Sequence, residues 1–136
     1  MALELIIVTP EGESWSGEVD TVVLPGAEGD FGVLEGHERF LSPLRVGAVE
    51  IRDAGGQHWA VVSEGFADVG AEQVVVLVGG CERAQDIDRA AAEQAREAAR
   101  AALDSLSSGA EDQVRRPGLE SQLARAEIRI EVAGRA

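Results

Sequence analysis

The chain changes its hydrophobic period once, at Asp86, and that change limits what it can fold into. Before Asp86, apolar residues come in short runs or alternate with polar ones, the period-two pattern of β-strands. After it, "DIDRAAAEQAREAARAALDSLSSG" is rich in alanine, the best helix former, with apolar residues three or four apart. A chain of 136 residues has the length for one compact domain and a small appendage. The pattern therefore predicts a β-rich unit over 1–85 and a helical unit over 86–136.

Within the first unit, Leu3 to Val8 is an apolar run closed by the turn signal "TPEGE". Val19 to Leu24 is β-branched and stops at Pro25-Gly26. Val46 to Arg52 alternates, with Val49 and Ile51 on one face and Glu50 and Arg52 on the other, and "DAGGQ" follows as a hairpin turn. His58 to Ser63 and Phe66 to Val69 are two further runs. Gln73 to Val78 is continuously apolar and reads as a strand buried on both faces. Turn signals recur about every ten residues, the rhythm of a β-sandwich or barrel. Only 4% of the chain is aromatic, so Val, Leu, Ile and Ala must make the core.

In the second unit, Asp86 or Asp88 is placed to cap a helix and Gly109 to end it. Ile87, Ala91, Ala95, Ala98, Ala102 and Leu106 form one narrow stripe on that helix. "GAEDQVRRPG" then breaks the chain, and Pro117 falls in the first turn of a second helix, where its missing N–H costs little. Leu119, Leu123, Ala126 and Ile130 make the facing stripe, so the two helices form an antiparallel αα-hairpin.

The formal net charge is -13 and every basic residue is arginine. Phosphate backbones and anionic lipid surfaces would be repelled, which excludes nucleic acid and direct membrane binding as expected partners. The excess is uneven: 15 carboxylates face 4 arginines up to Gln85, and 10 face 8 from Asp86 onward. The single Cys81 can form no internal disulfide and cannot hold a structural metal alone, so a reducing compartment is expected. "MALELIIVTPEG" has no basic n-region and too short an apolar run for a signal peptide or a membrane span. Membrane association is therefore expected only through a partner.

"LPGAEGDFGVLEGH", residues 24–37, concentrates the candidate chemistry. A phosphate-loop reading fails because no Gly-Lys-Ser/Thr and no helical pattern follows, and three carboxylates would repel the ligand. His37, near Glu35 and Glu38, has a general base's neighbours but neither a nucleophile nor a metal-ligand set beside it. A histidine pinning a turn through a backbone hydrogen bond is the better reading. His58 reads as a solvent-facing strand residue, Cys81 as a small core residue, and Trp15 and Trp59 as core anchors. Gly26, Gly29, Gly32 and Gly36 allow tight turns with positive φ, and the loop they build would project Glu28 and Asp30 as a docking element. No catalytic set, metal site or cofactor site emerges from the residues.

These residues resemble the epsilon subunit of bacterial F-type ATP synthase, the counterpart of mitochondrial delta. The family's Gly-x-x-Gly-x-x-Gly loop, Gly-His pair and Leu-x-x-Gly-x-x-x-Ile strand are matched by Gly26, Gly29, Gly32, Gly36-His37 and Leu44, Gly47, Ile51. "SEGFADV" is similar to its Ser-Gly-Gly-Phe/Ile-x-x-Val segment, with Glu64 replacing the first glycine, and "CERAQDID" is similar to its interdomain junction. The resemblance implies a ten-stranded β-sandwich followed by a helical hairpin. It also implies a non-catalytic central-stalk role, joining the gamma subunit to the c-ring at the cytoplasmic face of the bacterial inner membrane. Glu28, Asp30 and His37 would then be c-ring contacts. Arg115, Arg116, Arg125 and Arg129, with Arg135, would meet acidic segments of the beta subunits and inhibit hydrolysis. Some members bind ATP through an Ile/Leu-Asp-x-x-Arg-Ala motif. Ile87 and Asp88 match it, Glu82 supplies the upstream carboxylate, and Arg125 and Arg129 complete the candidate site. Ala91, however, stands at the arginine position, and Arg89 points to another helix face. The rival reading is a free-standing β-sandwich enzyme or ligand-binding module, which needs a concave site with convergent polar groups.

Overall fold

The structure, a computed structural model, describes residues 3–136. Ten strands run β1 (Leu3–Thr9), β2 (Gly12–Val19), β3 (Thr21–Gly26), β4 (Gly29–Val33), β5 (Phe40–Leu44), β6 (Gly47–Asp53), β7 (Gly56–Val62), β8 (Gly65–Val69), β9 (Gln73–Val78) and β10 (Cys81–Arg83). A 3-10 turn, Ala84–Asp86, leads to α1 (Arg89–Asp104) and α2 (Ala110–Ala133). The strand order is β10-β7-β6-β3-β5-β8-β9-β1-β2, with β4 paired to β3. β1 and β9 are parallel, and every other pair is antiparallel. β3 and β5 meet only at Gly26 and Leu44, where the sheet folds over to close a sandwich.

One core fills the interior. Leu3, Leu5 and Ile7 of β1 meet Val22 and Leu24 of β3, Val49 and Ile51 of β6, and Val74 and Val76 of β9. Aliphatic side chains alone are fully buried there, and each contributes about 1.5–3 kcal/mol on leaving water. Trp15, Phe31, Phe40 and Cys81 pack at its margin. Burial pushes the Cys81 thiol above its ordinary value.

The structure differs from the pattern reading in the strands that are only half covered. β2, "GESWSGEV", has no apolar run because it is an edge strand paired only to β1, and the sequence shows only a turn where it begins. Val19 ends β2 rather than opening β3. β9 is not buried on both faces. Val74, Val76 and Val78 face the core, while Val75 is half-buried and Leu77 is 50% exposed, because no second layer covers its outer side. His58 is half-buried rather than solvent-facing, with its ring 5.7 Å from that of Trp15.

The helices also depart from the pattern in register. Asp88, not Asp86, caps α1, its carboxylate accepting from Ala91 N at 3.0 Å. The inward face of α1 carries Ala92, Ala99 and the half-buried Arg96 and Leu103, and the half-buried Leu106 follows just past its end. Over the first turns it is thus rotated by one residue from the predicted stripe: Ala91, Ala95 and Ala98 are exposed, while Ile87, Ala102 and Leu106 of that stripe are half-buried. An alanine-rich helix offers two equivalent stripes, and an arginine on the true one hides it. Gly109 does not end α1; it is the N-cap residue of α2. Pro117 lies about two turns inside α2 rather than in its first turn. The helix starts earlier because Asp112 accepts from Ser107 N and Oγ at 2.8 Å each, and Gln113 Nε2 donates to Ser107 O at 2.8 Å. Those bonds hold Asp112 below the ordinary aspartate value. Glu111 and Asp112 also suit the positive end of the helix dipole. In α2, Leu119, Leu123, Ala126 and Ile130 turn inward as predicted.

The hairpin lies on the outer face of β6 and β7. Val132 and Ile128 of α2 join Val61, Ala84, Ala48, Trp59 and Ile87 in a second, smaller apolar cluster.

Candidate functional site

Two of three surfaces gather predicted residues, and the other is an apolar face that the sequence did not single out. The first is the β3–β4 hairpin. Its turn is Ala27-Glu28, closed by Gly26 opposite Gly29, and Glu28 stands exposed at the tip. Gly29 takes a φ of 144°, whereas Gly26 serves close approach: a Cβ there would lie 2.5 Å from Gly29 O. Positive φ holds for Gly29 and Gly36 but not for Gly26 or Gly32, contrary to the sequence reading. Asp30 is not at the tip but is the second residue of β4. Its Oδ1 accepts from Arg45 Nη2 at 2.7 Å, while Arg45 Nη1 donates to Gly26 O at 2.7 Å. Arg45 therefore ties the hairpin to the segment between β5 and β6. It was missed in the sequence, although it is one of only four arginines among the first 85 residues.

His37 lies beyond the other end of β4, so the structure groups Glu28 with Asp30 and separates them from His37. Its Nδ1 pairs with Glu38 O at 2.9 Å, its amide donates to Leu34 O at 3.2 Å, and its ring packs 5.0 Å from Phe40. It pins a turn, as expected.

The second surface is the uncovered face of β5, β8 and β9. Register places Pro43 beside Phe66 and Phe66 beside Leu77, with Leu41 and Val75 flanking Asp68 in the next row. Leu41 is 67%, Phe66 52% and Leu77 50% exposed. Contiguous exposed apolar surface of this kind marks an interaction site. Its sequence signal was the unbroken run of β9, read there as double burial.

The third surface is the seat of the hairpin. Arg129 Nε and Nη2 donate to Glu82 Oε1 and Oε2 at 2.8 and 3.1 Å, a bidentate pair joining α2 to β10. The Arg135 guanidinium lies 4.2 Å from the centre of the Trp59 ring. Glu82, Arg125 and Arg129 line one cleft of about 560 Å3, shared with Glu11 and Glu13. Asp88 is not among them; its carboxylate is spent capping α1. Arg115, 3.9 Å from Asp112, and Arg116, whose Nε donates to Gln113 Oε1 at 3.1 Å, stay on the first half of α2. Among the described residues no cluster of His, Cys, Asp and Glu could hold a metal ion, and no helix is long and apolar enough to cross a membrane.

Comparison with known proteins agrees with this architecture. Residues 2–84 match the family model described as ATP synthase, Delta/Epsilon chain, beta-sandwich domain. An ATP synthase epsilon chain of Anaeromyxobacter sp. is 39% identical over 135 residues, 99% of this chain and 100% of that relative. Epsilon chains of Thermodesulfovibrio yellowstonii and Nitratidesulfovibrio vulgaris are 43% and 47% identical over 86 and 87 residues. Those two matches span 61% and 65% of the relatives' own length, and 63% and 64% of this chain. A chain in the OSCP/F1/c-ring structure of Euglena gracilis mitochondrial ATP synthase superposes with a TM-score of 0.82 at 25% identity, covering 99% of this chain and 82% of that one. A chain in the central stalk/c-ring structure of the Tetrahymena thermophila enzyme shares the fold, with a TM-score of 0.63 at 12% identity over 98% of this chain and 97% of that one. A sandwich closed at Gly26 and Leu44, a hairpin seated on it, and a match running the full length of a relative together place this chain in the ATP synthase delta/epsilon chain family.

Proposed function

We propose that the chain is a non-catalytic rotor subunit of a proton-translocating F-type ATP synthase. In this reading it joins gamma to the c-ring at the cytoplasmic face of the bacterial inner membrane, and its helical hairpin restrains ATP hydrolysis. The observation that carries the reading is the uncovered apolar face of β5, β8 and β9. Leu41, Phe66 and Leu77 lose hydrophobic stabilisation as long as they face water, and a gamma subunit packed over them would recover it. Glu28 and Asp30, at the turn end of the β3–β4 hairpin, are the charges for the polar c-ring loops. His37, beyond the other end of β4, pins a separate turn.

The seat of the hairpin supports a switch. With Arg129 on Glu82 and Arg135 on Trp59, two of the arginines that would reach acidic segments of the beta subunits are held on the sandwich. Arg115, Arg116 and Arg125 remain exposed or half-exposed on α2. The docked hairpin is then the permissive form, and inhibition requires Arg129 to leave Glu82. ATP is a weak candidate for the ligand that steadies the docked form. Ala91 offers no cation, and Glu82 already takes two donors of Arg129, which leaves Arg125 as the remaining cation in the cleft.

The test is retention by an immobilised gamma subunit of the same organism. The native chain should be retained, and the Phe66→Asp/Leu77→Asp double variant should wash through with an unchanged circular dichroism spectrum. Failure of the native chain to bind would end the reading.

A further inference from the structure

We propose that the open seam of the sandwich holds a small monocarboxylate with an apolar body about the size of a benzene ring. β2 and β10 are the two ends of the strand order, and a pocket of about 170 Å3 lies at the seam between them. Cavities of this order accept one aromatic ring. Ile7, Ile51 and Ala60, all buried, give it an apolar floor. The rings of Trp15 and His58 stand 5.7 Å apart as one wall. The Arg83 guanidinium lies 4.7 Å from the centre of the Trp15 ring, and its Nη2 donates to Ser14 O at 3.1 Å across the seam.

Two of the polar side chains lining the pocket, Trp15 and Arg83, can only donate, and Gln85 adds an amide beside them. Trp15 Nε1–H is buried and meets no acceptor, and an indole nitrogen can only donate. Arg83 has N–H groups beyond the one given to Ser14. The carboxylate that holds His58, Asp53, is engaged by His58 Nε2 at 3.0 Å and Gly55 N at 2.8 Å. An acceptor-rich anionic head beside a hydrocarbon body satisfies this set. A neutral hydrocarbon would leave the indole donor unmet, and a phosphate would bring a strongly hydrated charge with no surface for the aliphatic floor. The net charge of -13 opposes an anion at long range, but that field is screened within about 8 Å at physiological salt, whereas Arg83 is at contact distance. β10 runs directly into the 84–86 turn, so the pocket lies at the joint from which the hairpin leaves the sandwich.

The test is titration of the 15N-labelled full-length chain with benzoate at constant ionic strength, reading the indole N–H signals of Trp15 and Trp59. The expected result is a saturable shift of Trp15, with millimolar or tighter affinity. Benzyl alcohol, of the same shape and no charge, should bind at least about tenfold more weakly, the scale of one charge-assisted hydrogen bond. Arg83→Gln should weaken benzoate by a similar factor, and Trp15→Phe should weaken it less while keeping the ring, read from the His58 side-chain signals. The proposal is overturned if benzoate produces no saturable Trp15 shift in the native chain. It is also overturned if benzoate and benzyl alcohol bind equally, which would make the pocket a plain apolar void. Both decisive arms use the native chain, so a variant that fails to fold does not protect the idea.

Discussion

Replacing Arg129 with alanine tests whether the hairpin is held by a local, separable contact. The guanidinium makes two hydrogen bonds to Glu82, at 2.8 and 3.1 Å, with the two side chains 21% and 34% exposed. A charge-assisted bond nets about 1.5–3 kcal/mol when shielded, and an exposed ion pair no more than about 1. Partial exposure places the bidentate pair between these limits, at about 2 kcal/mol. With 1.4 kcal/mol per factor of ten, the docked-to-undocked ratio should fall about thirtyfold. The sandwich core should not register the loss, because the second cluster at the seat has only Val61, Ala84 and Val132 fully buried and is separate from the main core. Amide hydrogen exchange resolves the two. Peptides covering 123–133 should exchange about thirtyfold faster in Arg129→Ala, while those of β1 and β9 keep their protection. Glu82→Gln should act in the same direction, and the exchanged pair Glu82→Arg/Arg129→Glu should restore much of the protection. A folded Arg129→Ala protein with native protection in α2 would refute the reasoning and leave the apolar cluster as the sole anchor.

Other outcomes follow from the same geometry. Gly65→Ala should destabilise the sandwich by roughly 2–4 kcal/mol in urea titration, because the added Cβ overlaps the Leu77 carbonyl oxygen of the adjacent strand. Pro117→Ala should stabilise the hairpin by about 1–3 kcal/mol and raise its helical signal, since it restores an N–H inside α2 and removes a clash with the Gln113 carbonyl; no gain would mean that the helix begins after residue 117 in solution. Asp112 is held below the ordinary aspartate value first by its bonds to Ser107, so its stabilisation of the inter-helix turn is present above the unfolded-state pKa and is lost as pH falls through the folded one. The Ser107 amide resonance should therefore shift, and α2 fray, below about pH 4, and Asp112→Asn should abolish that transition. Asp30→Lys places two cations together at Arg45, yet the melting temperature should change little because both side chains are about half exposed; coupling is judged by proton pumping of the rebuilt enzyme, and unchanged pumping would reduce Asp30 to a partner of Arg45.

The sequence by itself determined the change from strands to helices, the alternating strand β6 and its hairpin turn, the aliphatic core, and a helical pair. Each of these is local: a hydrophobic period or a turn residue carries it without knowledge of any neighbour. His37 was legible for the same reason, since its partners Leu34 and Glu38 lie within a few residues. Tertiary structure decided everything that depends on which face is covered. "QVVVLV" looks the same whether one or two layers pack on it, and only the missing second layer turns Leu77 into exposed surface. The inward face of α1 was undecidable among alanines until α2 packed against it, leaving the half-buried Arg96 on the inner side. The ties that shape the candidate sites, Asp30 with Arg45, Glu82 with Arg129 and Ser14 with Arg83, join residues 15, 47 and 69 positions apart. No periodicity reports such pairs, because charge attracts through space and the fold alone sets the distances.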